Sequence, residues 1–526
     1  MRRAGHALAG NRRAALALAI AAFAWVLYAR TLTADFVWDA RAKVLGSNFI
    51  HNPANLPDVL TGRVLTRDVL DNNRPGNLLS LMIDAALWGK NPVGYHATNV
   101  TLHAAICAML FLLLVRLLNG SEGAAALAAL VFAAHPLNCE PVSEVSYRED
   151  LLVLASILVA LFAAMEFMRK PGGGRNFLLG AVCCVALLFG VSAKENGVAG
   201  PVVLAAYWLL WRRKEAQRPW GLLMAFAVLA VGGFLLARFT LRPAHSIIFT
   251  EPARRLGRNL GETLFIQTRI WAMEFTQIIA PHSLCADYGP YLLRTMTLGM
   301  ASVIVALVMA GQLFLAWRGR VFALGAVVFW AGLLPVANLV PLYRPMADRF
   351  LYVPMAGVAM IVAQGLAISG KWRPAACGIA GLWICWAAIL TFQREAVWHN
   401  SLTLWQATAA ENPYSNTAQN NLGWALLKAD RNPEAAAAFR SALRLVLQKD
   451  ADSWAGLALA TDAAGFHAEA DTDYRRAIGL DARYAHPGEL VRALVTEPAD
   501  AAKLEVLARR VHAPFSLHRT PPPSNQ

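Results

Sequence analysis

Long apolar runs fill the first three quarters of the chain, and charged residues become frequent only after about Gln393. A helix that spans a membrane needs about 20 mostly apolar residues. Eleven segments meet or approach this length: 14–30, 97–118, 123–137, 151–168, 176–192, 197–211, 220–240, 297–317, 321–342, 350–369 and 374–392. The pattern therefore predicts an all-α, polytopic membrane bundle of about eleven spans over residues 1–393.

A further segment, 262–282, carries polar residues within its apolar pattern, namely Gln267, Arg269, Glu274 and Gln277. Each charged side chain at mid-membrane costs roughly 2.5–3.5 kcal/mol on insertion scales. A span here would also move the later basic clusters to the other side of the membrane. We therefore expect this segment to be interfacial or re-entrant.

The net charge of +14 comes largely from short clusters of arginine and lysine between the apolar runs. The clusters are Arg2, Arg3, Arg12 and Arg13; Arg169, Lys170 and Arg175; Arg212, Arg213, Lys214 and Arg218; Arg318 and Arg320; Lys371 and Arg373. Eleven spans and a cytoplasmic N-terminus place all of them in the cytoplasm, as the positive-inside rule requires. Nucleic acid is therefore not expected as a partner. The alanine-rich and arginine-rich composition suggests a bacterial inner-membrane protein with a periplasmic C-terminal region.

The region after the last span contains an internal repeat. Leu422, Glu434, Ala435, Phe439, Ala442 and Leu445 recur 35 residues later as Leu457, Glu469, Ala470, Tyr474, Ala477 and Leu480. Paired helices with small contact residues and a period near 34 residues are typical of tetratricopeptide repeats. We predict a tetratricopeptide-like α-solenoid over residues 394–512, a site for protein partners, and a disordered tail over residues 513–526.

Cations and carboxylates recur together in four loops that this topology places on the non-cytoplasmic side. These residues are Asp39, Arg74 and His96 in the first loop (about 31–96), Glu140, Arg148 and Asp150 in the second, Lys194 in the third, and Arg344, Asp348 and Arg349 in the last. One such loop could be an interfacial anchor, since arginines extend toward lipid headgroups. Four on one side favour a shared site for an anionic substrate.

His96, Asn99 and His103 share one face of the second predicted span, because they are spaced at i, i+3 and i+7. Such a face is either a polar stripe satisfied inside the bundle or part of a metal site. The polar stripe is the favoured interpretation, and no dedicated metal site is evident. The sequence predicts no cofactor and leaves a divalent metal open.

Taken in order, with the repeats behind them, these motifs resemble the transmembrane and tetratricopeptide-repeat (TMTC) proteins over nearly the whole chain. The resemblance rests on Val37, Trp38 and Asp39; Arg74 and Pro75; Tyr95, His96, Asn99 and His103; His135, Pro136, Glu140, Arg148 and Asp150; Lys194 and Glu195; Ala347, Asp348, Arg349, Leu351 and Tyr352. That family is similar to the GT-C glycosyltransferases. It implies transfer of a sugar from a polyprenyl-phosphate carrier to an acceptor hydroxyl, such as protein serine or threonine, outside the cytoplasm.

The resemblance also implies roles for the loop residues. Asp39 is expected to be the general base, with Glu140 or Asp150 as alternatives. Phosphate ligands would come from Arg74, Arg148, Lys194, Arg344 and Arg349, and His96 and Asp348 complete the predicted site. Asp150 and Asp348, which lie beside Arg148 and Arg349 in the sequence, are expected to orient the two guanidinium groups. Relatives usually carry two adjacent acids, whereas Ala40 follows Asp39 here. A transporter or flippase and a non-catalytic scaffold for periplasmic assembly remain the alternatives.

Overall fold

The computed structural model describes residues 2–167, 174–211, 218–241, 257–289, 296–340, 342, 344–492 and 498–512. Within these ranges the chain forms α-helices, short 3₁₀ turns and one π-turn, with no strand. The helices of the N-terminal part are α1 Arg2–Leu27, α2 Leu56–Leu60, α3 Pro75–Trp88, α4 Pro92–Leu117, α5 Glu122–Ala133, α6 Cys139–Ser143, α7 Glu149–Phe167, α8 Gly174–Ala193, α9 Ala199–Trp211, α10 Arg218–Thr240, α11 Leu260–Ile279, α12 Leu298–Arg318, α13 Arg320–Leu333, α14 Tyr352–Ile368, α15 Arg373–Val397 and α16 Ser401–Glu411. The predicted all-α class is confirmed.

Eight helical segments of the described chain are long and apolar enough to cross a membrane: Gly10–Leu27, Pro92–Leu117, Val145–Phe167, Gly174–Ala193, Trp220–Thr240, Leu298–Arg318, Asp348–Ile368 and Gly370–Val397. Each coincides with a predicted span, and the chain is a multi-pass membrane protein. The other three predicted spans are shorter or broken helices. α9 has 13 residues, and Arg320–Val336 is a shorter apolar helix.

The third predicted span, 123–137, is bent rather than continuous. Its two parts, Glu122–Ala133 and Pro136–Ser143, meet at 53°. Pro136 has no backbone N–H to continue the first helix and instead begins a new 3₁₀ turn after His135. The bend places Glu140 within hydrogen-bond distance of Arg349, in the last external loop.

The centre of the membrane part is α4, which packs against α1, α5 and α7. α13 and α14 also pack closely, because glycines lie between them. A Cβ atom on Gly357 would lie 2.7 Å from the backbone nitrogen of Phe329, and one on Gly325 would lie 2.8 Å from the carbonyl oxygen of Gly357. Small residues allow membrane helices to approach in this way. This contact fixes the first turns of α14, which directly follow the 3₁₀ turn that carries Asp348 and Arg349.

The chain divides into two compact units, Met1–Asn412 and Pro413–Gln526. The division falls after α16, although the sequence predicted a boundary after residue 393. α16 belongs with the first unit because the Trp405 ring lies 5.0 Å from that of Trp38. The backbone N–H of Ala286 also donates to Thr408 at 3.4 Å.

The second unit contains α17 Asn416–Lys428, α18 Asn432–Leu445, α19 Ala451–Ala463, α20 His467–Leu480, α21 Pro487–Arg492 and α22 Pro498–His512. α17 and α19 begin 35 residues apart, as do α18 and α20, which matches the repeat (451 − 416 and 467 − 432). Phe439 is fully buried, and a Cβ atom on Gly423 would lie 2.6 Å from its ring. The assignment to the tetratricopeptide type stays a prediction, and the predicted tail at 513–526 lies outside the described residues.

Candidate active site

Asp39 follows α1 and a 3₁₀ turn, in a loop whose backbone is held in an uncommon conformation. Trp38 has a positive φ of 46°, which is costly for a bulky residue. Its ring contacts Trp398 in a stacked arrangement and the guanidinium of Arg344 at 4.4 Å from the ring centroid. These contacts and that of Trp405 hold Trp38 in place. They therefore fix the position of the backbone of Asp39, the next residue.

Glu144 fixes the other side of the same loop. One of its carboxylate oxygens accepts from the backbone N–H of Ala40 at 2.7 Å. The other accepts from the Ser146 hydroxyl at 2.8 Å and from the N–H of Tyr147 at 2.9 Å. This buried carboxylate therefore joins the first external loop to the second. The Asp39 side chain itself is 39% exposed and lies 3.8 Å from the ammonium of Lys43.

Glu140 and Arg349 form a closed pair over the Tyr147 ring, which also contacts Trp38. The Arg349 guanidinium donates to one oxygen of Glu140, and the backbone N–H of Arg349 donates to the other at 2.9 Å. The guanidinium also lies 3.9 Å above the Tyr147 ring and interacts electrostatically with Asp39 and Asp150. Because Glu140 is 1% exposed and both oxygens are occupied, it orients Arg349 rather than facing a substrate.

Lys194 and Asp150 lie in a second, buried group of charges. The Lys194 ammonium is 2.6 Å from Asp150 and 3.2 Å from Glu149. Arg74 donates to Glu149 at 2.7 Å and to Glu195 at 2.9 Å. Lys194 and Asp150 are 3% and 1% exposed, so neither the predicted phosphate ligand nor the predicted alternative base faces an open space in this conformation.

Two predicted arginine–carboxylate pairings are different in the structure. Arg148 is fully buried and pairs with Asp84, whose oxygen lies 2.5 Å from it, instead of with Asp150. Asp348 accepts from Tyr288 at 2.5 Å and lies 3.5 Å from Arg394, so it does not orient Arg349. Both changes bury the side chain concerned, and we do not retain Arg148 as a phosphate ligand. Arg344 pairs with Asp287 and is 14% exposed.

The histidine stripe on α4 has partners inside the bundle. His103 contacts the Tyr352 hydroxyl at 2.8 Å, and Asn99 donates to the carbonyl of Val142 at 3.1 Å. Nδ1 of His96 lies 3.4 Å from the Thr31 hydroxyl, while its buried Nε2 has no hydrogen-bond partner in the described part of the chain. His96 is buried and not part of the charge network. In the part of the chain that the structure describes, no three histidine, cysteine or acidic side chains are grouped as metal ligands.

Several residues of the network were not singled out by the sequence: Lys43, Asp71, Asp84, Glu144, Glu149 and Arg238. Asp84 carried the clearest signal, because a single carboxylate inside the apolar helix α3 requires a cation partner. Lys43 lies 3.0 Å from Asp71, and no sequence motif indicates that contact.

Burial and neighbouring charges shift the pKa values of the loop residues in defined directions. Burial lowers the pKa of Lys43, but the carboxylates of Asp71 and Asp39 outweigh it, so that the pKa lies above its usual value. Arg74 behaves in the same way, with Glu149 and Glu195 outweighing burial. Conversely, burial raises the pKa of Glu195, but Arg74 and Arg238 bring it well below its usual value. These groups are therefore charged at neutral pH.

The arrangement combines Asp39, the most exposed carboxylate of this network, with several cations that keep part of their surface. Asp39 is 39% exposed, whereas Glu140, Glu149 and Asp150 are 1–2% exposed. Lys43, Arg349, Arg344 and Arg74 are 12%, 10%, 14% and 18% exposed. Such a site can accept a proton at Asp39 while holding an anionic group beside it.

Curated proteins similar to this chain include several protein O-mannosyl-transferases. Mouse TMTC4 is 23% identical over 467 residues, which are 75% of this chain and 62% of that protein. Human TMTC3 is 22% identical over 457 residues, which are 76% of this chain and 48% of that protein. The Drosophila melanogaster Tmtc1 protein is 31% identical over 172 residues, 32% of this chain and 20% of that protein. The predicted resemblance to TMTC proteins is confirmed, and the chain spans less than two thirds of the length of these relatives.

No protein-family model matches the chain. Among solved structures, it is similar to the crystal structure of ArnT from Cupriavidus metallidurans bound to undecaprenyl phosphate, at 12% sequence identity and a TM-score of 0.41. That match covers 91% of this chain and 79% of ArnT. A likeness this distant carries no argument about the site.

Proposed function

We propose that this chain is a membrane glycosyltransferase that moves a sugar from a polyprenyl-phosphate carrier to an acceptor hydroxyl. The single observation that carries the proposal is the exposed carboxylate of Asp39, which interacts electrostatically with the partly exposed guanidinium of Arg349. The similarity to protein O-mannosyl-transferases supports a sugar donor and a protein hydroxyl as acceptor.

The proposed reaction is a single in-line displacement at the anomeric carbon. Asp39 takes the proton of the acceptor hydroxyl as its oxygen bonds to that carbon. The bond between the anomeric carbon and the phosphate oxygen breaks, and the carrier phosphate leaves with the electron pair. Arg349, held by Glu140, stabilises the charge that develops on the phosphate, with Arg344 as a second candidate. One displacement inverts the anomeric configuration.

Glu144 and the tryptophans act as positioning residues in this proposal. Glu144 holds the N–H of Ala40, and Trp398 and Trp405 hold Trp38, so that the residues on both sides of Asp39 are fixed. A base that is held in place loses less entropy when the acceptor binds. We further propose that the repeat helices α17–α20 bind the acceptor protein or another partner, as their paired-helix arrangement suits.

We propose that the site faces the periplasm of a bacterial inner membrane, because the basic clusters then lie in the cytoplasm. Alkaline phosphatase fused after Asn412, at the end of the first unit, should therefore be active, since that enzyme matures only in an oxidising compartment. A fusion in the basic cluster at 212–218 is the control and should be inactive. The reverse pattern in stably expressed fusions would refute the orientation and the outward-facing site.

The proposed function predicts a loss of protein glycosylation when the chain is removed. Mass spectrometry of the periplasmic proteome should show hexose-sized additions on serine or threonine that disappear on deletion. They should return with the wild-type chain and not with Asp39→Asn expressed at the same level. Return of the additions with Asp39→Asn would favour a scaffold that assists another enzyme, and their persistence after deletion would contradict the proposal.

A further inference from the structure

The end of α8 carries a carboxylate that is shared by two arginines from different helices. Nη2 of Arg74, at the start of α3, lies 2.9 Å from one oxygen of Glu195. Nη2 of Arg238, in the last turn of α10, lies 3.0 Å from the other oxygen. Arg74 has a second partner in Glu149 at 2.7 Å and reaches Asp71 at 4.0 Å. Glu195 is therefore the bridge between the two guanidinium groups.

Three nitrogen atoms of these arginines have no hydrogen-bond partner among the described residues. They are Nε of Arg74 and Nε and Nη1 of Arg238, all of them buried. A buried N–H of a charged group that lacks a partner costs free energy, and several at one place require an explanation. The Arg238 side chain is 8% exposed, so water does not readily supply the missing acceptors. The Glu195 carboxylate offers only two oxygens, and it therefore leaves N–H donors of the two arginines without an acceptor.

The fold keeps these donors together. A Cβ atom on Gly76 would lie 2.6 Å from the Ser192 hydroxyl oxygen and 2.8 Å from the backbone nitrogen of Ala193. The start of α3 is thus in direct contact with the end of α8, which brings Arg74 to Glu195. Glu195 is 26% exposed and, with its low pKa, ionised. Of Glu195, Arg74 and Arg238, Glu195 has the most exposed side chain. It is the one that can move away.

The surroundings of Arg238 indicate where a ligand would come from. α10 is an apolar helix long enough to span a membrane, and the neighbours of Arg238 on it, Leu236 and Phe239, are 66% and 59% exposed. Apolar side chains exposed on a spanning helix face lipid tails. A ligand with an acyl or prenyl chain along α10 would place its headgroup at Arg238.

We propose that Glu195 occupies the place of an oxyanion and that Arg74 and Arg238 bind the phosphate headgroup of a membrane lipid when Glu195 moves aside. A phosphate monoester has three terminal oxygens and can accept from the Nε–H and Nη–H groups that Glu195 leaves unsatisfied. The proposed contacts involve neither Arg349 nor Glu140, and their test does not require the transfer reaction. If the lipid is a polyprenyl phosphate, this is where the proposed carrier docks before or after transfer.

Native mass spectrometry of the full chain in detergent, with added polyprenyl phosphate or phosphatidic acid, tests the proposal without turnover. Arg238→Gln should weaken lipid binding about tenfold, and Glu195→Gln, which removes the competing charge, should strengthen it several-fold. Arg238→Lys should restore part of the affinity. Arg116→Gln is the matched control, because Arg116 lies at the far end of α4 and pairs with Glu166. The lipid affinity of this variant should equal that of the wild type.

Thermal unfolding of each variant separates a lost site from a lost fold. Wild-type affinity in Arg238→Gln, or no gain in Glu195→Gln with an unchanged unfolding temperature, would overturn the proposal. Inorganic phosphate should compete only weakly. Equal affinity for inorganic phosphate would overturn the assignment to a lipid headgroup. Equal binding of the two lipids would support recognition of the phosphate monoester alone, and a preference for polyprenyl phosphate would connect this site to the proposed donor.

Discussion

Replacing Asp39 with asparagine should lower turnover about 100-fold or more and leave the affinity for the lipid-linked donor nearly unchanged. Asparagine keeps the shape of the side chain but cannot accept the proton of the acceptor hydroxyl. Asp39 is the most exposed carboxylate of the network, at 39%, and the proposed donor contacts lie on Arg349. A radiolabelled or fluorescent polyprenyl-phosphate sugar, a peptide acceptor and the purified chain give kcat and KM separately.

The matched control is Asp35→Asn, which makes the same change four residues earlier in the same loop. Asp35 is exposed; its backbone interacts with His399 and His96, and its carboxylate forms no ion pair with a described residue. Its activity should remain near that of the wild type.

Glu140→Gln distinguishes the base from the residue that orients the phosphate ligand. Because Glu140 accepts both the backbone and the guanidinium N–H of Arg349, the change should raise the donor KM more than it lowers kcat. Near-full activity of Asp39→Asn together with an inactive but folded Glu140→Gln would move the base to Glu140. Near-full activity of both would place the reaction elsewhere.

Removing one partner of the Asp84–Arg148 pair should be the most destabilising single change in the first external loop. Arg148 is 0% exposed, and Asp84 lies 2.5 Å from it. Asp84→Leu leaves a buried guanidinium without a counter-charge, which typically costs about 3–5 kcal/mol. We expect a marked fall in the unfolding temperature in detergent and little active protein.

Replacing both partners should recover most of that loss. The variant Asp84→Leu with Arg148→Met substitutes apolar side chains of similar size for the pair, and such replacements of buried ion pairs are often neutral. The remaining cost comes from the carbonyl groups of Tyr95 and Val145, which lose the donors of Arg148. Thr98 loses its bond to Asp84 but keeps the one to Gly94.

The activity of the double variant decides between a structural arginine and a phosphate ligand. Because Arg148 is buried against Asp84, we expect the folded double variant to retain near-wild-type donor affinity. A double variant that unfolds at the wild-type temperature but no longer binds donor would show that Arg148 reaches the substrate.

The predictions that failed concern pairs of charges. The sequence placed Arg148 beside Asp150 and Arg349 beside Asp348, because each pair is adjacent or nearly adjacent in the chain. In the structure these four residues take partners from other elements: Asp84, Lys194, Glu140 and Arg394. Neighbours in sequence at the start of a helix point in different directions, so their spacing does not determine which opposite charge they meet.

The sequence by itself determined the helical class, the positions of the apolar segments and the loops that carry charge. These properties follow from local composition, since a helix satisfies its own backbone hydrogen bonds in lipid wherever about 20 apolar residues follow one another. It also pointed to the set of loop charges that includes Asp39 and Arg349, because charged residues beside a membrane edge are costly and seldom incidental. Only the tertiary structure decided which of these charges remain accessible. Glu140 meets Arg349 across 209 residues of sequence, and burial at such contacts depends on how α4, α7 and α14 pack. That packing leaves Asp39 open and closes Glu140, Asp150 and Arg148.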